Sequence, residues 1–235
     1  MPDAGESSHL HEEDLREAIA DRLARFERRA LHLEGRRAAA VTILVVEGRS
    51  AAENYVRVHE GEAEGVPHDV DHGEACFVLT RRAPRLRAHA GQWALPGGRL
   101  DEGEDAVEAA LRESEEEVGA RLERSQVLGL LDDYPTRSGY VITPVVVWAS
   151  TGSRLEANPA EVTELYRVPL GALDAPQVPR VRAIPESDRP VISVEIVGTH
   201  VHAPTAAILY QFRELALRGQ PTRVDHYEQP VFAWK

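Results

Sequence analysis

The stretch that decides the fold is LPGGRLDEGEDAVEAALRESEEEVGA, residues 95–120. Between Asp101 and Glu117 it carries nine carboxylates and one basic residue, Arg112. A merely solvated helix would intersperse Lys or Arg four residues away, because like charges at that spacing repel. Residues 105–118 have helical patterning and Gly119 is a good C-terminal stop. On such a helix Glu113, Glu116 and Glu117 stand at i, i+3 and i+4, so they project from one face within reach of a common point. Three converging carboxylates repel one another unless a hard divalent cation neutralises them. Mg²⁺ or Mn²⁺ suits oxygen-only ligands and keeps positions for water and phosphate oxygens. Gly97 and Gly98 let the backbone approach closely just before the helix, and Arg112 can orient a ligand carboxylate through its planar fork. The segment reads as a metal platform for phosphorus chemistry.

Outward from this helix, strands and helices mix irregularly, which places the chain in the α/β (α+β) class as a single domain. Residues 38–46, AAAVTILVV, are short, β-branched and almost continuously apolar, as a central strand should be. Residues 76–80 read as the strand that pairs with them, and 126–131, 140–149, 162–168 and 191–197 as further strands. Residues 47–74 are too polar for a core element and read as a surface excursion. Residues 175–190 read as a Pro-rich link, and Pro204 opens a final helix that stops at Gly219. Before the first strand, residues 1–37 comprise a tail of nine residues and an amphipathic helix over 10–33. Residues 38–218 then form the domain proper, and 219–235 a C-terminal extension.

Gly98, five residues, Glu104, seven residues, then Arg112, Glu113, Glu116, Glu117 and Gly119 resemble the Nudix box at all seven of its polar and glycine positions. Ser114 departs, standing where the pattern has an apolar residue. The resemblance implies a Nudix fold, a mixed β-sheet sandwiched between helices, and a hydrolase of a nucleoside diphosphate linked to another moiety. It makes Glu113, Glu116 and Glu117 the ligands of Mg²⁺ or Mn²⁺, with Arg112 and Glu104 orienting the helix. Water then attacks a phosphorus of the diphosphate, and positioning and electrostatics supply most of the acceleration. The general base is either a box glutamate or a carboxylate of a later loop, for which Glu161 and Glu164 are the candidates. Asp132-Asp133 reads as a turn.

Upstream, Val78-Leu79-Thr80-Arg81-Arg82-Ala83, Arg87, His89, Gly91 and Leu95-Pro96-Gly97-Gly98 resemble the extra signature of the coenzyme A pyrophosphatase branch, with Leu95 in place of the expected Phe. Coenzyme A carries a 3′-phosphate besides its diphosphate, and the cluster Arg81, Arg82, Arg85 and Arg87 offers the additional anion contacts. Arg82, Arg87, His89, Gly97 and Gly98 are therefore the expected substrate contacts. The implied products are 3′,5′-ADP and (acyl-)4′-phosphopantetheine. A second reading keeps the chemistry and takes ADP-ribose, a dinucleotide or a damaged nucleotide. A third is a nucleotide-sensing module without catalysis; such modules usually lose the catalytic carboxylates, which are intact here. Trp93 and Tyr134 could stack on an adenine. His200 and His202 share a strand face, but no third zinc ligand is apparent.

Composition sets the outer bounds. The 235 residues are 43% hydrophobic with a net charge of −12, a globular composition whose acidity disfavours nucleic-acid backbones. No apolar run approaches the length of a membrane span, no secretory signal is visible at the start, and the single Cys76 suits a cytoplasmic protein. By analogy with the family, the N-terminal helix is an interface for a homodimer.

Overall fold

Residues 38–46 are indeed the middle strand of the molecule, inside β1 (Arg37–Glu47). The structure is a computed structural model describing residues 4–49, 55–57, 73–84, 91–196 and 198–234. On one side β1 pairs antiparallel with β3 (Ala75–Arg82), Val45 opposite Phe77. On the other it pairs parallel with β8 (Tyr140–Trp148), Ala39 opposite Ile142. The sheet continues from β3 to β9 (Val162–Pro169) and the short β2 (Tyr55–Arg57), and from β8 to β6 (Val127–Leu130). The small strands β4 (Trp93–Ala94), β5 (Gly97–Arg99) and β7 (Tyr134–Pro135) pair with β3, β1 and β8 respectively.

Alternation along β1 sorts its side chains into two layers. Ala40, Leu44 and Val46 pack with Val107, Ala109, Ala110 and Val118 of α2 (Ala106–Val118). Ala39, Ile43 and Val45 pack on the opposite face with Ile19 and Leu23 of α1 (Ala4–Arg25), and with Ile208, Leu209 and Phe212 of α3 (Thr205–Phe212). A mixed sheet thus lies between helices, as expected from the box.

Three elements differ from the sequence reading. α1 ends at Arg25 rather than near residue 33. Residues 27–31 leave the helix because Asp132 and Asp133 capture the main-chain N–H groups of Arg29 and Leu31. The supposed link 175–190 contains β10 (Arg180–Ile184), which pairs with β11 (Ser187–Ile196); β11 in turn pairs with β12 (Thr199–His202) to make a second, three-stranded sheet. β10 is mostly exposed and two of its five residues are charged, so it has main-chain pairing without an apolar run. The final helix passes at Phe212 into a π-helical turn, Arg213–Leu217, before Gly219. Among the described residues no helix is long and apolar enough to cross a membrane.

Candidate active site

β5 holds the start of the box against β1, Gly98 opposite Ala40. Both glycines are dictated by close approach. A Cβ on Gly97 would lie 2.3 Å from the Ala40 carbonyl oxygen, and one on Gly98 2.2 Å from Glu113 Oε1. Asp105 caps α2, its carboxylate accepting from the N–H groups of Val107 and Glu108 at 2.8 and 2.9 Å, and Glu108 returns the bond to Asp105 N–H. At the other end Gly119 adopts φ +67°, and its N–H reaches the Glu115 carbonyl. The helix that carries the carboxylates is fixed at both ends.

Arg112 is the hub of the box. It donates to both Glu104 oxygens at 2.7 and 3.0 Å, to Glu113 at 2.9 Å, to Glu116 at 3.1 Å and to the Arg99 carbonyl at 3.0 Å. Its hydrogen bonds, led by those to Glu104, raise its own pKa against burial, while Arg112 and the Asp101 N–H hold Glu104 below the ordinary carboxylate range. Glu117 is 2% exposed and turns the other way, accepting from Arg82 at 3.2 Å and Gly97 N–H at 3.1 Å. Burial nevertheless pushes its pKa up to about 7, and the charges of Glu113 and Glu161 add to that. Burial also raises Glu113, despite Arg112.

No group of three or more metal-type ligands stands ready assembled among the described residues. Glu113 and Glu116 share the Arg112 guanidinium while Glu117 holds Arg82. The donor set still fits Mg²⁺ or Mn²⁺. It is all oxygen, from positions i, i+3 and i+4 of one helix, and burial raises the pKa of the buried Glu117 and the half-buried Glu113 despite their arginine partners.

Among the remaining candidates, Glu161 is half-buried at the start of β9, with its charge felt by both Glu113 and Glu117. Glu164 is engaged elsewhere, accepting from Arg81 and the Tyr166 hydroxyl, both at 3.0 Å. Asp132-Asp133 is no turn. Both residues are buried, with Asp132 bound by Arg223 and Gln211, and Asp133 by Arg28 and Thr143. Ser114 is fully buried and matched rather than tolerated. Its hydroxyl lies 2.7 Å from the Ala110 carbonyl and 2.9 Å from the hydroxyl of Thr42, which itself donates to Ala110 at 2.9 Å. Thr42 was the one polar residue within the apolar run of β1 and was the available signal. Tyr134 is a core residue, 1% exposed, donating to the Tyr227 carbonyl at 2.9 Å.

A cleft of about 500 Å³ begins at Arg81, Arg82 and Gly97-Gly98. Its lining includes Arg82 and Gly97, the two groups that bond Glu117, and Gly98, against which Glu113 lies; the box glutamates themselves are not among the lining residues. Trp93 also lines it, edge-on to Tyr166 at 5.2 Å with the Arg81 guanidinium 5.7 Å from its ring centroid. Arg82 Nε is buried and finds no acceptor among the described residues. Arg87 and His89, together with Arg85, lie outside the described residues. The sequence reading missed the far side of the cleft, formed by β12 and the C-terminal extension.

The NUDIX domain model matches residues 63–187, more than half of the chain. The chain is 47% identical over 95 residues to the uncharacterized Nudix hydrolase NudL of Photorhabdus laumondii, covering 40% of this chain and 51% of that protein. It is 44% identical over 100 residues to the uncharacterized NudL of Pectobacterium atrosepticum, covering 42% and 52%. The chain thus spans about half the length of the curated relatives it matches. Among solved structures, it is similar to a MutT/nudix family protein from Enterococcus faecalis, with TM-score 0.48 and 14% identity over 94% of this chain and 78% of that one. The family match, covering the box with its seven positions intact, makes this chain a member of the Nudix hydrolase family.

Proposed function

We propose that this chain hydrolyses the diphosphate bridge of coenzyme A or an acyl thioester of it, giving 3′,5′-ADP and (acyl-)4′-phosphopantetheine. Residues 38–218 form the hydrolytic unit and 219–235 complete one wall of its cleft. The observation that carries the reading is the bond of Arg82 to Glu117, 3.2 Å, which joins the arginine-bearing end of β3 to the box at one cleft mouth. Glu113, Glu116 and Glu117 would hold Mg²⁺ or Mn²⁺. The metal, when bound, supplies charge neutralisation for the diphosphate and a more acidic water.

The chain's own residues supply the rest. Gly97 and Gly98 let β5 lie close against β1 and against Glu113, which sets the box beside the cleft. Arg112 keeps the glutamate helix in register through Glu104 and the Arg99 carbonyl. Arg82, which lines the cleft with its side chain partly exposed, offers a guanidinium N–H to an anionic substrate oxygen. Glu161 is the outside carboxylate nearest in charge to the box glutamates and takes the proton of the attacking water.

The test is a substrate panel. Purified protein with Mg²⁺ or Mn²⁺ is given coenzyme A, dephospho-coenzyme A, ADP-ribose and dinucleoside polyphosphates, with products read by mass spectrometry. Preferential release of 3′,5′-ADP from coenzyme A is expected. Cleavage of ADP-ribose or dinucleotides alone would keep the hydrolase and overturn the coenzyme A reading. Silence across the panel would favour the nucleotide-sensing module.

A further inference from the structure

The cleft is chemically two-sided. At the box end its lining carries the guanidinium groups of Arg81, Arg82 and Arg99. Along the wall made by β12 and the C-terminal segment the lining changes to His200, His202, Gln229 and Phe232. Among the described residues neither β12 nor that segment gives the lining a carboxylate, Lys or Arg. His202 is held below its ordinary pKa by burial, with His200 and Arg182 adding to the effect. An uncharged chain with amides, hydroxyls and methylenes would find hydroxyl and amide partners beside apolar surface.

The far wall is held by a buried polar latch rather than by apolar packing. Glu228 is 2% exposed, accepts from Arg137 at 2.7 Å and from Gln229 N–H at 2.8 Å, and its own N–H bonds the Pro190 carbonyl. Gln229 returns the link by accepting the Arg137 N–H at 2.9 Å. The Trp234 indole donates to the Gln229 carbonyl at 2.8 Å while the Arg137 guanidinium covers its ring at 4.1 Å. The short helical turn Val231–Ala233 between these anchors carries Phe232, which remains 62% exposed and meets His202 edge-on at 5.3 Å. A large aromatic side chain kept in water at a cleft mouth, on a segment this firmly pinned, has unspent apolar surface facing the ligand space.

We propose that Phe232, on the latched C-terminal segment and backed by His202, determines specificity by binding the uncharged arm of the substrate beyond the diphosphate, leaving the arginine end to the phosphates of the nucleotide half. This rests on the coenzyme A reading, in which the arm is pantetheine.

The experiment measures binding of the two product halves separately, 4′-phosphopantetheine and 3′,5′-ADP, to the full chain with Mg²⁺ by NMR titration. Phe232→Ala is the test variant, and its exposure makes a folding defect an unexpected outcome. Phe232→Tyr is the conservative control. Phe232→Ala should weaken 4′-phosphopantetheine at least fivefold and leave 3′,5′-ADP within twofold, with Phe232→Tyr close to wild type. Unchanged binding of 4′-phosphopantetheine, or a larger loss on 3′,5′-ADP, would overturn the assignment. If wild type binds neither half, the coenzyme A reading fails by itself. The assignment then stands or falls on ribose 5-phosphate against AMP, where Phe232→Ala must weaken the former alone. Wild-type binding to none of the four halves would overturn both.

Discussion

Two sets of buried carboxylates in this molecule are built from similar groups and treated in opposite ways. Asp132 and Asp133, between β6 and β7, are saturated with donors. Asp132 accepts from one Arg223 nitrogen at 2.5 and 2.7 Å, from Arg29 N–H at 2.7 Å and from Gln211 at 2.8 Å. Asp133 accepts from Arg28, from Leu31 N–H at 2.8 Å and from the Thr143 hydroxyl at 2.7 Å. Glu117, equally buried, has one guanidinium and one N–H, and Glu113 shares its guanidinium with two other glutamates. Donor saturation separates a structural carboxylate from a chemical one. Fixed donors around a carboxylate tie segments together, here both chain ends to the sheet. A deficit of donors leaves a carboxylate whose charge the fold alone does not balance, and an arriving cation can.

The largest effect should come from breaking the saturated set. Asp132→Ala leaves Arg223 and Gln211 without their acceptor and should cost about 3–5 kcal/mol in urea unfolding. A loss below about 1 kcal/mol would erase the contrast between the two sets. Glu116→Gln works on the deficient set. It should lower turnover on the order of a hundredfold or more, since it removes a carboxylate proposed to hold the metal that neutralises the diphosphate. Stability should stay within about 0.5 kcal/mol, because the side chain is half exposed. Normal turnover at saturating metal would take Glu116 out of the mechanism. The smallest effect concerns how the box helix is held. Thr42→Val and Ser114→Ala should each cost about 1 kcal/mol. The double variant should cost less than their sum, since both hydroxyls share the Ala110 carbonyl. Strict additivity would show that they act separately.

The legible parts of the fold were those whose signal is local. β1, β3, β8 and β9 declared themselves by apolar β-branched runs, and α2 by its period and by Gly119. The box spacing fixed which face of α2 carries the glutamates. Contacts that depend on distant partners were not legible. Asp132-Asp133 looks like a turn until Arg28 and Arg223, about a hundred residues away on either side, supply the donors that bury it. β10 lacks an apolar run because it is an exposed edge, and only its register with β11 reveals it. The far wall of the cleft was equally hidden. Phe232 and His202 are 30 positions apart, and nothing local to either points to the other. Thr42 and Ser114 were each readable as an exception, and it takes the fold to make them one interaction.

The box glutamates are short of charge compensation, a deficit that a divalent cation would fill. Glu117 tests it through linkage. Its folded pKa is raised from 4.5 to about 7, so across that window the native state binds a proton that the unfolded chain has released. Stability must therefore fall as pH rises through the window, by on the order of 2–3 kcal/mol if this group acted alone. The measurement is Tm from pH 5 to pH 8 for wild type and Glu117→Gln, with and without Mn²⁺. Without metal, the Tm of wild type should drop more steeply with rising pH than that of Glu117→Gln. Saturating Mn²⁺ should raise wild-type Tm most at pH 8, where the carboxylate is ionised, and should lose most of that effect in the variant. Equal slopes for the two proteins, or a Mn²⁺ effect that survives Glu117→Gln undiminished, would contradict the account.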